Sequence, residues 1–269
     1  MARSLNHPAW LGISRAVGGA LIFSLPMMMT MEMWEIGFYV EPLRLMILIL
    51  VSLPLWVGVS SIIGFEETKT LGDDILDVLV AYAIGFITSA FVLLALGIIT
   101  SETGPGQIFS MLLLQSVPGS LGALLARSLI GSDSQLKFEQ GYHQELIILI
   151  TGSLFLAFNL APTEEIILIS YKMHYWHMFI LFLFTLTIMQ MFTLSNPDVP
   201  SGSLRQWRTH WQLFVRFTST GYMLAFVVSL FMLWALGRTD GENLGNIINT
   251  ALVLSFPAGI GASAARLIV

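Results

Sequence analysis

Two short motifs, each occurring twice, contain the residues of this chain best suited to chemistry. The first places a glutamate two positions after a threonine, at Thr30 and Glu32 and again at Thr163 and Glu165. Carboxylates in an apolar segment are costly unless they are used, so this pair could form a cation entry or a proton-sensing site. The alternative is structural. Pro162 could introduce a new short helix with Thr163 as its cap, and the positive end of that helix would favour the glutamates.

The second motif is Ser-x-Pro, at Ser116 and Pro118 and again at Ser255 and Pro257. A proline inside a helix frees the carbonyl four residues earlier and bends the helix. Freed carbonyls and serine hydroxyls at membrane depth can coordinate an ion or water, as broken helices do in many transporters. The alternative is packing, because the glycines and alanines that follow each proline favour close helix contact.

Two further charged pairs close predicted helices. Glu102 and Glu242 could form an acidic outer mouth that concentrates cations, or they could simply solvate a loop. Arg127 and Arg266 could gate a pathway or bind an anion, or they could orient the helix ends and extend to the membrane surface.

The sequence gives little support for a metal site or for enzymatic catalysis. His174 and His177 are one helical turn apart, but no third metal ligand can be placed, so we predict an interfacial aromatic cluster and no metal site. The chain has no cysteine and none of the common nucleotide-binding or hydrolase motifs. We expect neither a cofactor nor an enzymatic activity.

The composition indicates that lipid covers most of the folded surface. Of 269 residues, 55% are hydrophobic and 11% are charged, and the mean hydropathy is +0.79. Soluble domains carry about 25% charged residues. The net charge of -5, without a basic run, argues against nucleic-acid binding.

Eight apolar segments are long enough to cross a bilayer, which takes about 20 residues in a helix. We therefore predict an all-α, polytopic membrane helix bundle of about eight transmembrane helices. The predicted spans are residues 16–34, 43–64, 75–100, 107–130, 144–161, 175–194, 211–236 and 244–267. The fourth and eighth are rich in Gly, Ser and Pro, so an interfacial or re-entrant placement of either stays open.

The lysines and arginines orient these spans. Eight of them fall on the side of the N-terminus and three on the opposite side. Cytoplasmic segments carry the excess of Lys and Arg. We predict a multi-pass protein of the inner (plasma) membrane with both termini cytoplasmic.

The sequence repeats itself at a shift of about 139 residues. Residues 82–102 and 222–242 share nine identities in 21 positions, and residues 106–130 and 245–269 share nine in 25. The second pair has the common pattern S-x-P-x-x-x-G-A-x-x-A-R. Four spans per half would make the repeats parallel. We predict a first repeat at 1–130, a cytoplasmic linker at 131–143 and a second repeat at 144–269.

The layout resembles an uncharacterised bacterial family of integral membrane proteins of about 270 residues. The segments GALIFSLPMMMTMEMW and NLAPTEE and the S-x-P-x-x-x-G-A-x-x-A-R endings carry the resemblance. It implies the architecture and no assigned chemistry.

Two functions remain open on these grounds. The first is an ion channel or transporter, with a cation or proton as the favoured species and a pathway at the repeat interface. The alternative is a membrane scaffold or assembly protein without transport, whose small-residue faces bind partner helices. In both cases the lipid bilayer is a partner, and the sequence leaves a homo-oligomer open.

Overall fold

The protein is described by a computed structural model over residues 7–63, 70–130, 142–195 and 211–268. These residues form helices and no strands, and eight of the helical segments are long and apolar enough to cross a membrane. The predicted all-α bundle of about eight spans is confirmed.

Ten α-helices follow one another along the described chain. They are α1 (His7–Met28), α2 (Met31–Tyr39), α3 (Pro42–Ile63), α4 (Leu71–Ala95), α5 (Pro105–Ile130), α6 (Tyr142–Leu160), α7 (Glu164–Lys172), α8 (Tyr175–Ser195), α9 (Thr220–Ala235) and α10 (Leu244–Ile268). The span that contains α9 begins at Trp211 and includes a π-helical turn over Phe214–Ser219.

The chain divides into two compact units, Met1–Glu139 and Gln140–Val269. Each unit has one long helix, one short helix and then three long helices. In each unit the first helix packs along the last one, α1 on α5 and α6 on α10. Most of the predicted linker, residues 131–141, lies outside the described residues. The parallel arrangement of the two repeats stays a prediction.

Paired glycines bring the first and last helices of each unit into backbone contact. A Cβ atom built on Gly122 would lie 2.2 Å from the carbonyl oxygen of Gly19, and one built on Gly152 would lie 2.2 Å from that of Gly261. Only glycine permits so close an approach. The shift that aligns the two Thr-x-Glu motifs also aligns Gly19 with Gly152, and the repeat of residues 106–130 at 245–269 aligns Gly122 with Gly261. The same crossing at matched positions supports an internal duplication.

Another pair of matched glycines ends α4 and α9. Gly97 has a φ of 70° and Gly237 a φ of 76°, the left-handed conformation that commonly terminates helices. The next residue in each case bonds back into the last turn, Ile98 N to Leu93 O at 3.0 Å and Arg238 N to Leu233 O at 2.8 Å. The ALG sequence shared by the two halves therefore acts as a helix stop.

The first predicted span, residues 16–34, is wrong at its end. Helix α1 stops at Met28, Thr30 has an extended backbone, and the separate helix α2 begins at Met31. Methionines continue through this break, so hydropathy contains no signal of it. Glu32 therefore lies on a short helix and not at the end of a span.

Proline does not interrupt the fourth and eighth spans. Helix α5 continues through Pro118 and helix α10 through Pro257. Both are long enough to cross a membrane. The broken helix considered from the Ser-x-Pro motif is not observed at either position.

Helix α4 begins four residues before the predicted third span, because a capping box starts it. The amide of Asp73 donates to the Thr70 hydroxyl at 3.3 Å, and the Thr70 amide donates to the Asp73 carboxylate at 3.1 Å. This reciprocal pair satisfies two free donors of the helix end. Its consequence is that Asp74 and Asp77 lie on the same helix as the apolar span.

Candidate functional site

The duplicated Thr-x-Glu motifs begin the two short helices. Glu32 and Glu165 are each the second residue of such a helix, α2 and α7. Thr30 and Thr163 hold the N-cap positions, but their hydroxyls donate to the preceding helix, to Met27 O and Leu160 O, at 2.8 Å each. The short-helix interpretation, made for the Pro162 segment, holds there without the predicted side-chain cap, and the first motif also begins a short helix. A cation entry at these glutamates stays a prediction.

The serines of the Ser-x-Pro motifs are buried and bonded to their own helices. Ser116 Oγ donates to Leu113 O at 2.6 Å, and Ser255 Oγ lies 2.7 Å from Leu252 O and 3.1 Å from the Tyr222 hydroxyl. Pro118 is also buried, and Pro257 is half-buried. Each serine hydroxyl thus has a partner within its unit.

The predicted outer carboxylates have different surroundings. Glu102 is exposed in the loop before α5. Glu242 accepts hydrogen bonds from the Tyr171 hydroxyl at 2.6 Å and from Asn246 Nδ2 at 2.8 Å, and so it connects α7 to α10. These donors lower the pKa of Glu242. The same bond to the carboxylate is the main reason that the pKa of Tyr171 is raised.

The predicted terminal arginine of the second unit is not a solvated anchor. The side chain of Arg266 is only 10% exposed, and its Nη2 lies 3.6 Å from Glu145 Oε1. Its guanidinium carbon stands 3.8 Å from the ring centroid of Phe217. Arg127 belongs to α5, but its side chain lies outside the described residues.

The histidine pair marks the start of α8. The amide of His174 donates to His177 Nδ1 at 3.2 Å, and the two ring centroids are 6.3 Å apart. Among the residues that the structure describes, no group of three His, Asp or Glu side chains is placed to hold a metal ion.

Within the described ranges, an extended buried polar group lies elsewhere, in the first unit. Ser52, Trp56 and Ser60 follow one another at four-residue spacing on α3, and each is at most 2% exposed. Such spacing puts them on one face of the helix, over about 12 Å of helical rise. This face turns toward polar groups on α4 and α5.

Hydrogen bonds between described side chains join these helices. Ser60 Oγ donates to Asp77 Oδ2 on α4 at 2.8 Å, and Trp56 Nε1 donates to the Ser120 hydroxyl on α5 at 2.8 Å. The hydroxyls of Ser52 and Tyr82 form a third bond. We name this group, together with one more acidic residue of α4, the polar column. Its members are Ser52, Trp56, Ser60, Asp74, Asp77, Tyr82 and Ser120.

Two aspartates form one end of the polar column. Asp74 and Asp77 stand one turn apart on the same face of α4, and they are 9% and 8% exposed. The Oδ1 atom of Asp74 is buried without a hydrogen-bond partner in the described part of the chain. Buried carboxylates are expensive, and in a membrane span they mark ion or proton pathways more often than structure.

The second unit has fewer polar residues at the positions that match Ser52, Trp56 and Ser60 of α3. The shift that matches Gly19 with Gly152 places Thr185, Met189 and Thr193 of α8 at these three positions, and all three are buried. Two hydroxyls are thus present in both units. The indole donor of Trp56 is replaced by a methionine.

The second unit also has apolar residues at the positions that match Asp77 of α4 and Ser120 of α5. The shift that matches Tyr82 with Tyr222 places Phe217 where the first unit has Asp77. The shift that matches Ser116 with Ser255 places Gly259 where the first unit has Ser120. The carboxylate and two of the donors of the polar column are therefore particular to the first unit.

The polar column was not among the predicted site residues. One signal was available, since Asp77 is a lone carboxylate inside the predicted third span. The serines gave none, because hydroxyl groups are common in membrane helices and usually bond their own backbone.

The surface of the helices completes the evidence for the class of protein. Ile87 and Phe91 on α4 are 67% and 74% exposed. Exposure of such apolar side chains costs free energy in water but not in lipid. With eight helices that are long and apolar enough to cross a membrane, the chain is a multi-pass integral membrane protein in contact with the lipid bilayer.

A family assignment follows from comparison with known sequences. The family described as "Putative integral membrane protein (DUF2391)" matches residues 12–269, and the chain belongs to this family. No curated protein and no solved structure matches the chain significantly.

Proposed function

We propose that the protein transports protons or a small cation across the membrane, and that the polar column is part of the path. The observation that supports this proposal is Asp77, a carboxylate more than nine-tenths buried in a membrane helix and bonded by Ser60. A buried carboxylate of this kind attracts a proton or a cation to offset its desolvation.

The composition of the polar column favours protons or cations over anions. Its members are two carboxylates, four hydroxyls and one indole. Hydroxyls both donate and accept, so they can pass a proton or complete the oxygen shell of a cation. The indole only donates, and its bond to Ser120 fixes the orientation of that hydroxyl.

This proposal places the path inside the first unit, whereas the sequence had suggested the repeat interface. The alternative of a membrane scaffold has less support. Its evidence was the small-residue surface of the fourth and eighth spans, and Gly122 and Gly261 are already in contact with Gly19 and Gly152.

The setting of this activity rests on the sequence. We propose an inner (plasma) membrane location with both termini cytoplasmic, because the excess of Lys and Arg falls on that side. A non-enzymatic role and a homo-oligomer remain predictions.

Proton flux into liposomes tests the proposal. The purified full chain is reconstituted with a trapped pH-sensitive dye, and a potassium diffusion potential drives the flux. Asn cannot accept and release a proton, so we expect Asp77→Asn to reduce the flux to that of empty liposomes. A second assay, with an imposed sodium or potassium gradient and a trapped dye sensitive to that ion, identifies a cation instead.

Two further variants make the result interpretable. Glu102→Gln removes an exposed loop carboxylate and serves as the matched control, with unchanged flux expected. Ser60→Ala keeps the charge of Asp77 and removes its hydroxyl donor, and should lower the flux even if Asp77→Asn folds poorly. Flux by Asp77→Asn equal to that of the unmodified protein would overturn the proposal.

A further inference from the structure

Three charged side chains meet two aromatic rings at one end of the second unit. The guanidinium carbon of Arg266 lies 3.8 Å from the ring centroid of Phe217, and that of Arg216 lies 5.3 Å from the same ring and 4.7 Å from the ring of Tyr142. Glu145 is the acidic member, with Oε1 3.6 Å from Arg266 Nη2. We call these five residues the arginine cluster.

The arginine cluster has one positive charge more than it has negative charges. Two guanidinium groups face a single carboxylate, and the Arg266–Glu145 separation exceeds that of a short charge-assisted hydrogen bond. The side chain of Arg266 is nine-tenths buried, and its Nη1 has no hydrogen-bond partner within the described residues. A buried donor without an acceptor is costly, and an added anion would remove that cost.

The ends of three helical segments form the arginine cluster. Tyr142 and Glu145 belong to the first turn of α6, Arg266 belongs to the last turn of α10, and Arg216 lies in the π-helical turn before α9. The first turn of a helix attracts negative charge. Ends of membrane spans lie at the level of the lipid headgroups. Arg216 is exposed, so a ligand can reach the arginine cluster from outside.

We propose that the arginine cluster binds a phosphate group, from an anionic phospholipid headgroup or from free phosphate. A phosphate has enough oxygens to accept from Arg266 Nη1 and from the guanidinium of Arg216 together. It also supplies the missing negative charge. This inference is independent of the polar column, which belongs to the other unit.

Lipid binding to the full chain in detergent tests the proposal. Native mass spectrometry measures the binding of phosphatidylglycerol and phosphatidylcholine, and calorimetry measures that of inorganic phosphate. We expect Arg216→Gln to weaken binding about tenfold, which corresponds to one charge-assisted hydrogen bond. Arg44→Gln removes one positive charge in the first unit and should change nothing. Glu145→Gln removes the competing carboxylate and should tighten binding.

The outcomes separate the sources of the phosphate group and decide the proposal. Selective binding of phosphatidylglycerol identifies a headgroup site, and binding of inorganic phosphate as well identifies a site for the phosphate group itself. Either result supports the proposal when Arg216→Gln weakens the binding. Binding that Arg216→Gln and Glu145→Gln leave unchanged would overturn it, and so would equal affinity for the two lipids without phosphate binding. Arg216 is exposed, so its variant keeps the test usable if Arg266→Gln does not fold.

Discussion

Ser60 and Ser61 are neighbouring residues of α3 whose hydroxyls have different surroundings. Ser60 is buried and donates to the Asp77 carboxylate, whereas Ser61 is exposed and bonds the Gly58 carbonyl of its own helix at 2.8 Å. Removing a donor from a buried acceptor costs about 1–3 kcal/mol. We expect Ser60→Ala to lower the free energy of unfolding by about that amount and Ser61→Ala to lower it by less than ~0.5 kcal/mol. Chemical denaturation in mixed micelles measures both, and equal losses would contradict the assignment of the Ser60 bond.

The Tyr171–Glu242 bond makes the contact between α7 and α10 depend on pH. The folded protein lowers the pKa of Glu242, chiefly through the Tyr171 hydrogen bond. The stabilisation is therefore complete above the pKa of an unfolded glutamate and is lost as the pH falls through the lowered value. The pKa of Tyr171 is raised, so its contribution is complete below the pKa of an unfolded tyrosine and is lost as the pH rises through the raised value.

Hydrogen exchange of α7 is the measurement for this pH dependence. We expect amide exchange in Glu164–Lys172, corrected for the intrinsic rate, to increase at acidic pH in the unmodified protein. Glu242→Gln removes the titrating group and should abolish the acidic change. Glu102→Gln, in an exposed loop, should keep it. An acidic increase that persists in Glu242→Gln would show that another group is responsible.

The sequence identified candidate residues where the same residue type occurs at matched positions. It did not identify the hydrogen-bond partner of each residue. Thr30 and Thr163 were found from the repeat alone, yet their hydroxyls turn to the preceding helix. Nothing in the local sequence tells which carbonyl a threonine will choose. The burial of Asp74 depends on the capping box at Thr70, which starts α4 before the apolar run begins.

At the scale of elements, the contact between α1 and α5 depends on two glycines. A methyl group on Gly122 would stand 2.2 Å from the backbone oxygen of Gly19, which cannot move as a side chain can. Overpacking of this kind costs about 1–3 kcal/mol. We expect Gly122→Ala to lower the thermal stability in detergent clearly, and Gly106→Ala, with open space around it, to leave it unchanged or slightly raised. Similar behaviour of the two variants would contradict the close crossing.

The spans themselves could be predicted because lipid demands a long apolar helix. Helix α3 runs from Pro42 to Ile63, within one residue of the predicted 43–64 at each end. The short helix α2 could not be predicted, because its residues are as apolar as the end of α1. The pairing of the helices could not be predicted either. The sequence alone does not distinguish a glycine at a helix crossing from a glycine that ends a helix.

At the scale of the whole molecule, the two units share one set of contacts and differ in another. Each has the glycine crossing of its first and last helices and the glycine stop after its fourth element. A further matched contact joins the short helix to the last helix. Gly37 meets Met111 in the first unit, and Ser170 bonds Thr250 at 2.9 Å in the second. These contacts hold the helices of each unit together.

The buried polar groups differ between the units, which is expected if one copy carries the function. Tyr82 bonds Ser52 within the polar column, whereas Tyr222, at the matched position, bonds Ser255, and the position matched to Asp77 holds the apolar Phe217. Loss of one such hydroxyl costs about 1 kcal/mol of stability in either unit. If transport follows the polar column, the two losses should differ in their effect on flux.

We expect Tyr82→Phe to reduce proton or cation flux in proteoliposomes severalfold and Tyr222→Phe to leave it near that of the unmodified protein. Both variants keep the aromatic ring, so packing is matched, and thermal unfolding should show similar small losses for the two. Because the tyrosines hold corresponding positions, a difference in flux must come from what surrounds them and not from the residue type. Equal reductions would mean that both units contribute to the path, and that the carboxylate of Asp77 is not what distinguishes them.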